Sequence, residues 1–189
     1  MNELKRYTEY LLKRSFVGLI YRRYYLYPKI NRLIYGSLLD VGCGTGDMLR
    51  FRENSIGVDI NPYNVEVCKA NNLDAQLIMV DTLPFADCSF DSVLLDNVLE
   101  HINSPIPLIK EIKRVLKSKA TLIVGVPGIK GYGSDDDHKI FYDEYKLLKL
   151  LKNNGFTLVS FTYTPLFKSA FLSRTVKQYC IYVKLTNNN

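Results

Sequence analysis

From Ser37 onward the chain alternates between short apolar runs and stretches whose apolar residues recur every three or four positions. Residues 38–41, 56–60, 75–80, 90–95 and 121–126 are brief runs rich in Val, Ile and Leu, as expected of strands buried on both faces. Segments of helical spacing separate them. One covers residues 46–52. A second covers 62–71, with Pro62 suited to a first turn. A third covers 105–116, where Lys113, Arg114 and Lys117 suit a helix C-terminus. A Gly-rich, acidic loop over 127–140 and a helix over 142–153, closed by Asn154-Gly155, follow. Residues 156–162 and 178–185 read as two last strands, joined by a long connection over 164–176 without a helix. The three terminal asparagines read as frayed. This order predicts a doubly wound α/β sheet with its site beyond the C-terminal strand ends, and an antiparallel pair at one edge.

The first 35 residues follow a different pattern. Leu4, Tyr7, Leu11, Leu12 and Phe16, then Ile20, Tyr24, Leu26, Tyr27, Ile30, Leu33 and Ile34, keep close to helical spacing. They predict two helices, or one broken near Gly18 and again near Pro28. This segment carries eight Lys/Arg against Glu3 and Glu9, which accounts for the whole net charge of +6; the remainder is balanced. It also holds seven of the fourteen tyrosines. The plain reading is a cover for the sheet with a solvated outer face. The sharper one is a basic, aromatic surface for an anionic partner, such as a lipid headgroup, a phosphate-bearing substrate or nucleic acid.

Composition narrows the class. A chain of 189 residues, 47% hydrophobic and 23% charged, reads as one globular domain with a sizeable core. No apolar run approaches the roughly 18 residues of a membrane span, and Arg14, Arg22 and Arg23 break up the layout of a signal peptide. Cys43, Cys68, Cys88 and Cys180 are scattered. That argues against a disulfide framework or zinc site and for a reducing cytoplasm, with peripheral membrane contact left open.

The stretch that organises the chain is Asp40-Val41-Gly42-Cys43-Gly44-Thr45-Gly46-Asp47. Asp47 stands where a dinucleotide fingerprint needs glycine, and no Gly-Lys-Ser/Thr of a P-loop follows. Glycines after a buried strand admit turns of positive φ and close approach of another molecule. With Asp59, Val80-Asp81-Thr82-Leu83-Pro84-Phe85 and the run Ser89-Phe90-Asp91 through Leu99-Glu100-His101, the pattern resembles the class I S-adenosylmethionine-dependent methyltransferases, in their small-molecule ("type 11") branch. The four segments span residues 38–126; the match extends weakly to His138, Phe141 and Gly155-Phe156.

The resemblance implies one Rossmann-like, seven-stranded sheet of order 3-2-1-4-5-7-6 with strand 7 antiparallel. Residues 1–35 would be a helical extension forming a lid or acceptor wall, and residues 36–186 the catalytic domain. S-adenosyl-L-methionine is the implied cofactor and S-adenosyl-L-homocysteine its product. The implied cofactor residues are Asp40, Gly42, Gly44, Gly46, Asp59 with Ile60, Asp81 with Thr82, and Asn97. Asp59 would take the ribose hydroxyls and Asp81 the adenine amino group. Asp96 or Asn97 would touch the cofactor's amino-acid end or the acceptor, with helix capping an equal reading.

Only two histidines are present, and His138, after Asp135-Asp136-Asp137, is the first candidate base, with His101 second. The competing readings are a loop histidine and a structural one. No metal is expected, because consecutive aspartates diverge in direction and form solvated turns. The expected acceptor is a small molecule, sugar or lipid-linked compound, with nucleic acid less favoured and the chain a monomer or homodimer. Two alternatives stay open: an RNA or protein methyltransferase, and a cofactor-binding regulatory subunit without turnover.

Overall fold

The computed structural model describes residues 2–188. Seven strands, β1 (Leu38–Val41), β2 (Ser55–Asp59), β3 (Ala75–Leu77), β4 (Phe90–Asp96), β5 (Leu116–Pro127), β6 (Phe156–Thr164) and β7 (Cys180–Asn187), form one sheet of order β3-β2-β1-β4-β5-β7-β6. The first five are parallel, and β7 runs antiparallel between β5 and β6. β1 is the switch point: Leu39 sits opposite Ile56 of β2 on one side and Val93 of β4 on the other. Crossovers leave β1 in opposite directions there, which makes its C-terminal end the position where doubly wound sheets bind ligands.

The two-residue period of the strands divides the core. Leu39, Val41, Val93, Leu95, Leu122, Val124, Val183 and Leu185 face one way. They pack beneath α6 (Ile106–Val115) and α8 (Glu144–Asn153), which contribute Leu108, Ile109, Ile112, Val115, Leu147 and Leu151. Leu38, Leu94, Ile123 and Tyr182 face the other way, against Leu26, Tyr27 and Ile30. Ile30 is 1% exposed, a burial that stabilises by about 2 kcal/mol. The second half of the N-terminal segment is thus one wall of the core.

That segment also departs from the expected breaks. α1 (Glu3–Leu12) ends at Lys13, and Ser15 caps α2 (Phe16–Tyr21) by accepting from the Gly18 amide, so Gly18 lies inside a helix. Helical chain then continues through a π turn (Arg22–Leu26) into α3 (Tyr27–Asn31), with Pro28 in its first turn. Proline removes one amide donor and crowds the carbonyl four residues back; the wider turn just ahead of it accommodates both without a break. Three of the eight basic residues are tied inward. Arg14 pairs with Asp47, Arg22 donates to the Tyr27 hydroxyl (3.1 Å), and Lys29 donates to the Tyr163 carbonyl (2.7 Å).

Other boundaries also move. β3 is three residues long rather than six, and β5 begins at Leu116. The loop after β5 contains the short helix α7 (Ile129–Tyr132), and the connection before β7 contains α9 (Ala170–Thr175), capped by Ser169. α4 (Asp47–Phe51) and α5 (Pro62–Ala70) follow β1 and β2 as the pattern predicts. No helix among the described residues is long and apolar enough to cross a membrane.

The segment between β3 and β4 lacks regular structure and is held by α6. Arg114 donates to the Leu83 and Phe85 carbonyls (2.9 and 2.7 Å), while Glu111 accepts from the Leu83 amide (3.1 Å) and pairs with Arg114. The Arg114 guanidinium, with the Leu83 amide, holds the Glu111 carboxyl down at about 2, against 4.5 unperturbed. A depressed carboxyl stabilises the fold fully above its unfolded value and loses that contribution as pH falls through the folded one. The melting temperature of the wild type is therefore expected to exceed that of Glu111→Gln at pH 6, and the gap to narrow steadily as pH falls from 4.5 toward 2.5. A gap independent of pH would show that the carboxylate holds nothing.

Candidate active site

The loop after β1 is built on left-handed backbone: φ is +76° at Gly42, +54° at Gly44 and +80° at Gly46. A Cβ on Gly42 would stand 2.5 Å from the Val98 Cγ2, so side-chain-free backbone is required on steric grounds as well. The loop is fastened to β2, with Gly42 and Cys43 donating to the Val58 carbonyl (2.8 and 3.1 Å) and Gly44 to Asp59 Oδ2 (2.8 Å). Gly46 then caps α4.

Asp59 is 7% exposed and fixes more than the loop. Its Oδ1 accepts from the Asn61 amide (2.8 Å), and its Oδ2 from the Asn64 side chain (3.2 Å) as well as Gly44. Three of its roughly four lone-pair directions are therefore engaged. Burial raises its pKa, and the amides of Asn61 and Gly44 pull it back. Asn61 and Asn64 in turn hold α1: Asn61 Nδ2 donates to the Leu4 carbonyl (2.9 Å), and Thr8 Oγ1 donates to Asn64 Oδ1 (2.8 Å). Leu11 of the same helix lies beside Gly44, with its Cδ1 3.4 Å from where a Cβ would be. The N-terminal helix thus lies over the glycine loop, a contact that sequence reasoning leaves open.

Two of the acids expected at the cofactor site, Asp40 and Asp81, carry acceptors without partners. The side chain of Asp40, a residue 4% exposed, accepts no hydrogen bond among the described residues; burial raises its pKa well above the usual range, and the charges of Asp96 and Asp59 add to the rise. Asp81 sits at φ +62°, and its Oδ1 is buried without a hydrogen-bond partner. Asp96 accepts from the Tyr182 hydroxyl (2.7 Å) and from Asn97 Nδ2 (2.9 Å), and Asn97 is itself left-handed at +57°. Burial lifts the Asp96 carboxyl and Arg22 opposes the lift. Ile60 and Thr82 both lie at the surface with exposed side chains, next to Asp59 and Asp81 in the chain.

A second cluster stands beyond β4 and β5. Glu100 and His101 belong to the 3-10 turn Leu99–His101 after β4, and His138 belongs to the loop after β5. Backbone bonds join these segments, because the Glu100 carbonyl accepts from Lys139 (2.7 Å) and Ile140 (3.1 Å). The two imidazoles meet edge to face with centroids 4.6 Å apart, and Tyr132 stacks on His138. His138 Nδ1 lies 2.7 Å from the Tyr132 carbonyl, which can only accept. That contact assigns the proton to Nδ1 and leaves a lone pair on Nε2, 4.0 Å from Glu100 Oε1. His101 Nδ1 is 3.3 Å from Asp137 Oδ2.

Glu100 is 1% exposed, with neither carboxylate oxygen hydrogen-bonded. Burial pushes its carboxyl up to about 8. Burial also lowers the pKa of His101, with His138 contributing. The sequence names both histidines but not Glu100, whose only signal is its place in Leu99-Glu100-His101. Two surface cavities, of about 330 Å³ beside Asp91 and Lys117 and about 350 Å³ beside Ile106 and Tyr142, lie outside both clusters.

Comparison with known proteins agrees with this arrangement. A methyltransferase-domain family model matches residues 39–124. An uncharacterised protein of Methanocaldococcus jannaschii is 31% identical over 140 residues, 68% of each chain. The chain belongs to the class I S-adenosylmethionine-dependent methyltransferase family. S-adenosylmethionine is accordingly its cofactor. Human probable tRNA methyltransferase 9B is 30% identical over 110 residues, 53% of this chain and 24% of that one. A methyltransferase structure from Thermotoga maritima superposes with TM-score 0.73 at 19% identity, covering 99% of this chain and 96% of that one.

The residues present fit that cofactor. A buried, unpartnered acceptor at Asp81 suits an amino-group donor, the unpartnered Asp40 suits a cationic one, and the glycine loop lets backbone come close. The loop's steric constraint is testable by itself. Gly42→Ala is expected to cost about 1–3 kcal/mol, seen as a fall of several degrees in melting temperature. A further Val98→Ala should restore part of the loss. An unchanged melting temperature in the single variant would show that the loop is free to shift.

Proposed function

We propose that the chain transfers a methyl group to a small-molecule, sugar or lipid-linked acceptor that binds beyond the C-terminal ends of β4 and β5. The observation that carries this reading is the pairing of two clusters at adjacent strand ends. The glycine loop with its open carboxylates follows β1, and two histidines around a buried glutamate follow β4 and β5. β1, β4 and β5 are neighbours and parallel, so the clusters share one end of the sheet.

In this reading Gly42, Gly44 and Gly46 approach the cofactor through backbone, with Asp40, Asp59, Ile60, Asp81, Thr82 and Asn97 around it. The cofactor supplies an activated methyl on a sulfonium and leaves as a neutral thioether. What this chain must add is alignment and removal of the acceptor's proton. His138 Nε2 carries the lone pair for that task. Its ring is fixed by the Tyr132 carbonyl and stacked on the Tyr132 ring, and His101 stands second. A positioned base is worth roughly 10²–10⁴ in rate. α1, latched by Thr8, Asn61 and Asn64, would act as the lid of the cofactor site. Lys5, Arg6, Lys13 and Arg23, on or beside α1 and the π turn, would suit an anionic or membrane-presented acceptor.

Transfer to RNA or protein is the second reading, RNA being favoured by the relation to probable tRNA methyltransferase 9B over 110 residues and by the same basic surface. A regulatory subunit that binds cofactor without turnover is the third. S-adenosylhomocysteine is expected to bind to the purified chain, to bind at least tenfold more weakly to Asp59→Ala, and to resist competition by NADH, measured by calorimetry. Labelled cofactor in a cell extract should mark a low-molecular-weight compound or lipid. Label in RNA or protein would favour the second reading, and binding without any label the third. With the acceptor found, His138→Gln should lower kcat about 10²–10⁴-fold and leave S-adenosylhomocysteine binding unchanged.

A further inference from the structure

We propose that Glu100, His101 and His138 form a binding site for a divalent transition-metal ion. One ligand atom from each of the three lies within 4.8 Å of the other two. Two imidazoles and one carboxylate are the donor set that zinc, cobalt and iron favour, whereas magnesium and calcium prefer oxygen alone. At metal–ligand distances near 2.1 Å, the ligand atoms of a tetrahedral ion stand roughly 3.4 Å apart. The Glu100–His138 separation is 4.0 Å and no pair of ligand atoms is more than 4.8 Å apart, so side-chain movements of roughly 0.5–1.5 Å close the site.

Three further observations point to an ion. Glu100 is buried with both carboxylate oxygens unpartnered, a costly arrangement that a cation would relieve. His138 gives Nδ1 to the Tyr132 carbonyl and His101 Nδ1 faces the Asp137 carboxylate. These are the outer contacts that fix ligating imidazoles by tautomer and orientation. The scaffold is already assembled, since the backbone bonds from Lys139 and Ile140 to Glu100 join the two segments. The site is distinct from the exposed Asp135–Asp137 turn that the sequence offers for metal and that chain geometry disfavours.

Three protein ligands leave at least one open position. An oxygen of the acceptor could take it, and an ion lowers the pKa of a bound hydroxyl. In that loaded state the His138 lone pair is a ligand, the ion takes over the base's task, and the proton leaves to solvent. This extension rests on the acceptor-side reading above; ion binding itself does not.

The test is titration of chelator-stripped, full-length protein with Co²⁺ and with Zn²⁺, read by visible absorption and calorimetry. One ion per chain with tetrahedral or five-coordinate cobalt absorption is expected. Glu100→Gln and His138→Gln should each weaken binding at least tenfold. The milder Asp137→Asn, at an exposed residue that need not disturb folding, should weaken it measurably through His101. Asp135→Asn/Asp136→Asn should leave it unchanged. No cobalt spectrum, or binding indifferent to Glu100→Gln and Asp137→Asn in folded protein, would overturn the site, as would loss of binding in the Asp135/Asp136 variant alone. S-adenosylhomocysteine binding on the same samples reports on the methyltransferase reading separately.

Discussion

The Asp59 carboxylate is the contact through which the parts of this molecule reach one another. It closes the β2 end against the glycine loop through Gly44, starts α5 through Asn61, and holds Asn64, which holds Thr8 of α1. The glycine loop, β2 and α5 meet on one buried anion, and α1 is reached from it through Asn64. A carboxylate can do this because it offers about four acceptor directions, and a buried one must fill them or lose the solvation they had in water. The same saturation bears on function. A vicinal diol needs two acceptor directions, and at most one is left. A ribose reaching Asp59 therefore has to exchange with at least one bond that now holds the loop or α5. Under the proposed ribose contact, an exchange with the Asn61 or Asn64 bond would reach α1, because those two side chains hold Leu4 and Thr8.

Local patterns carried the parts of the fold that depend on them. Strands buried on both faces read as continuous apolar runs, and the Asp-x-Gly-x-Gly-x-Gly spacing marked the loop because steric demand at Gly42 leaves no other residue type. The acids at positions 59 and 81 could be placed by their order along the chain. What depended on tertiary pairing could not. Glu100 meets His138 across 37 intervening residues, and nothing periodic signals it. The inward pairing of Arg14, Arg22 and Lys29 is equally invisible, because a charge count does not say which side chains find partners. Pro28 misled because a proline breaks a regular α-helix, whereas a π turn just before it keeps the axis continuous.

Electrostatics then sorts the two clusters by what they lack. Asp40, Asp59 and Asp96 all carry raised pKa values from burial, and the charges of Asp96 and Asp59 raise Asp40 further. Asp59 and Asp96 are compensated by hydrogen bonds. Asp40 is not, and Arg22 opposes the rise at Asp96. A group of acids with one member uncompensated is a poor structural design and a good receptor for a cation. A ligand bearing an ammonium and a sulfonium meets that description, and its binding would stabilise the fold by mass action.

The second cluster lacks a charge of the same sign, but in another form. Glu100 has no hydrogen bond to accept, and His138 has already given its one N–H to Tyr132. In its neutral form that histidine cannot donate to Glu100; only a proton or a cation between them can satisfy both. Protonation of Glu100 supplies the first and leaves the pair inert until a base is wanted. A divalent ion supplies the second and converts the pair into ligands. The two states differ in what they present to an acceptor: an imidazole lone pair that the Glu100 proton must first release in one, an open coordination position in the other. The acceptor chemistry follows from which of them is populated, since a single weakly acidic hydroxyl needs the base, whereas a chelating pair of oxygens needs the ion.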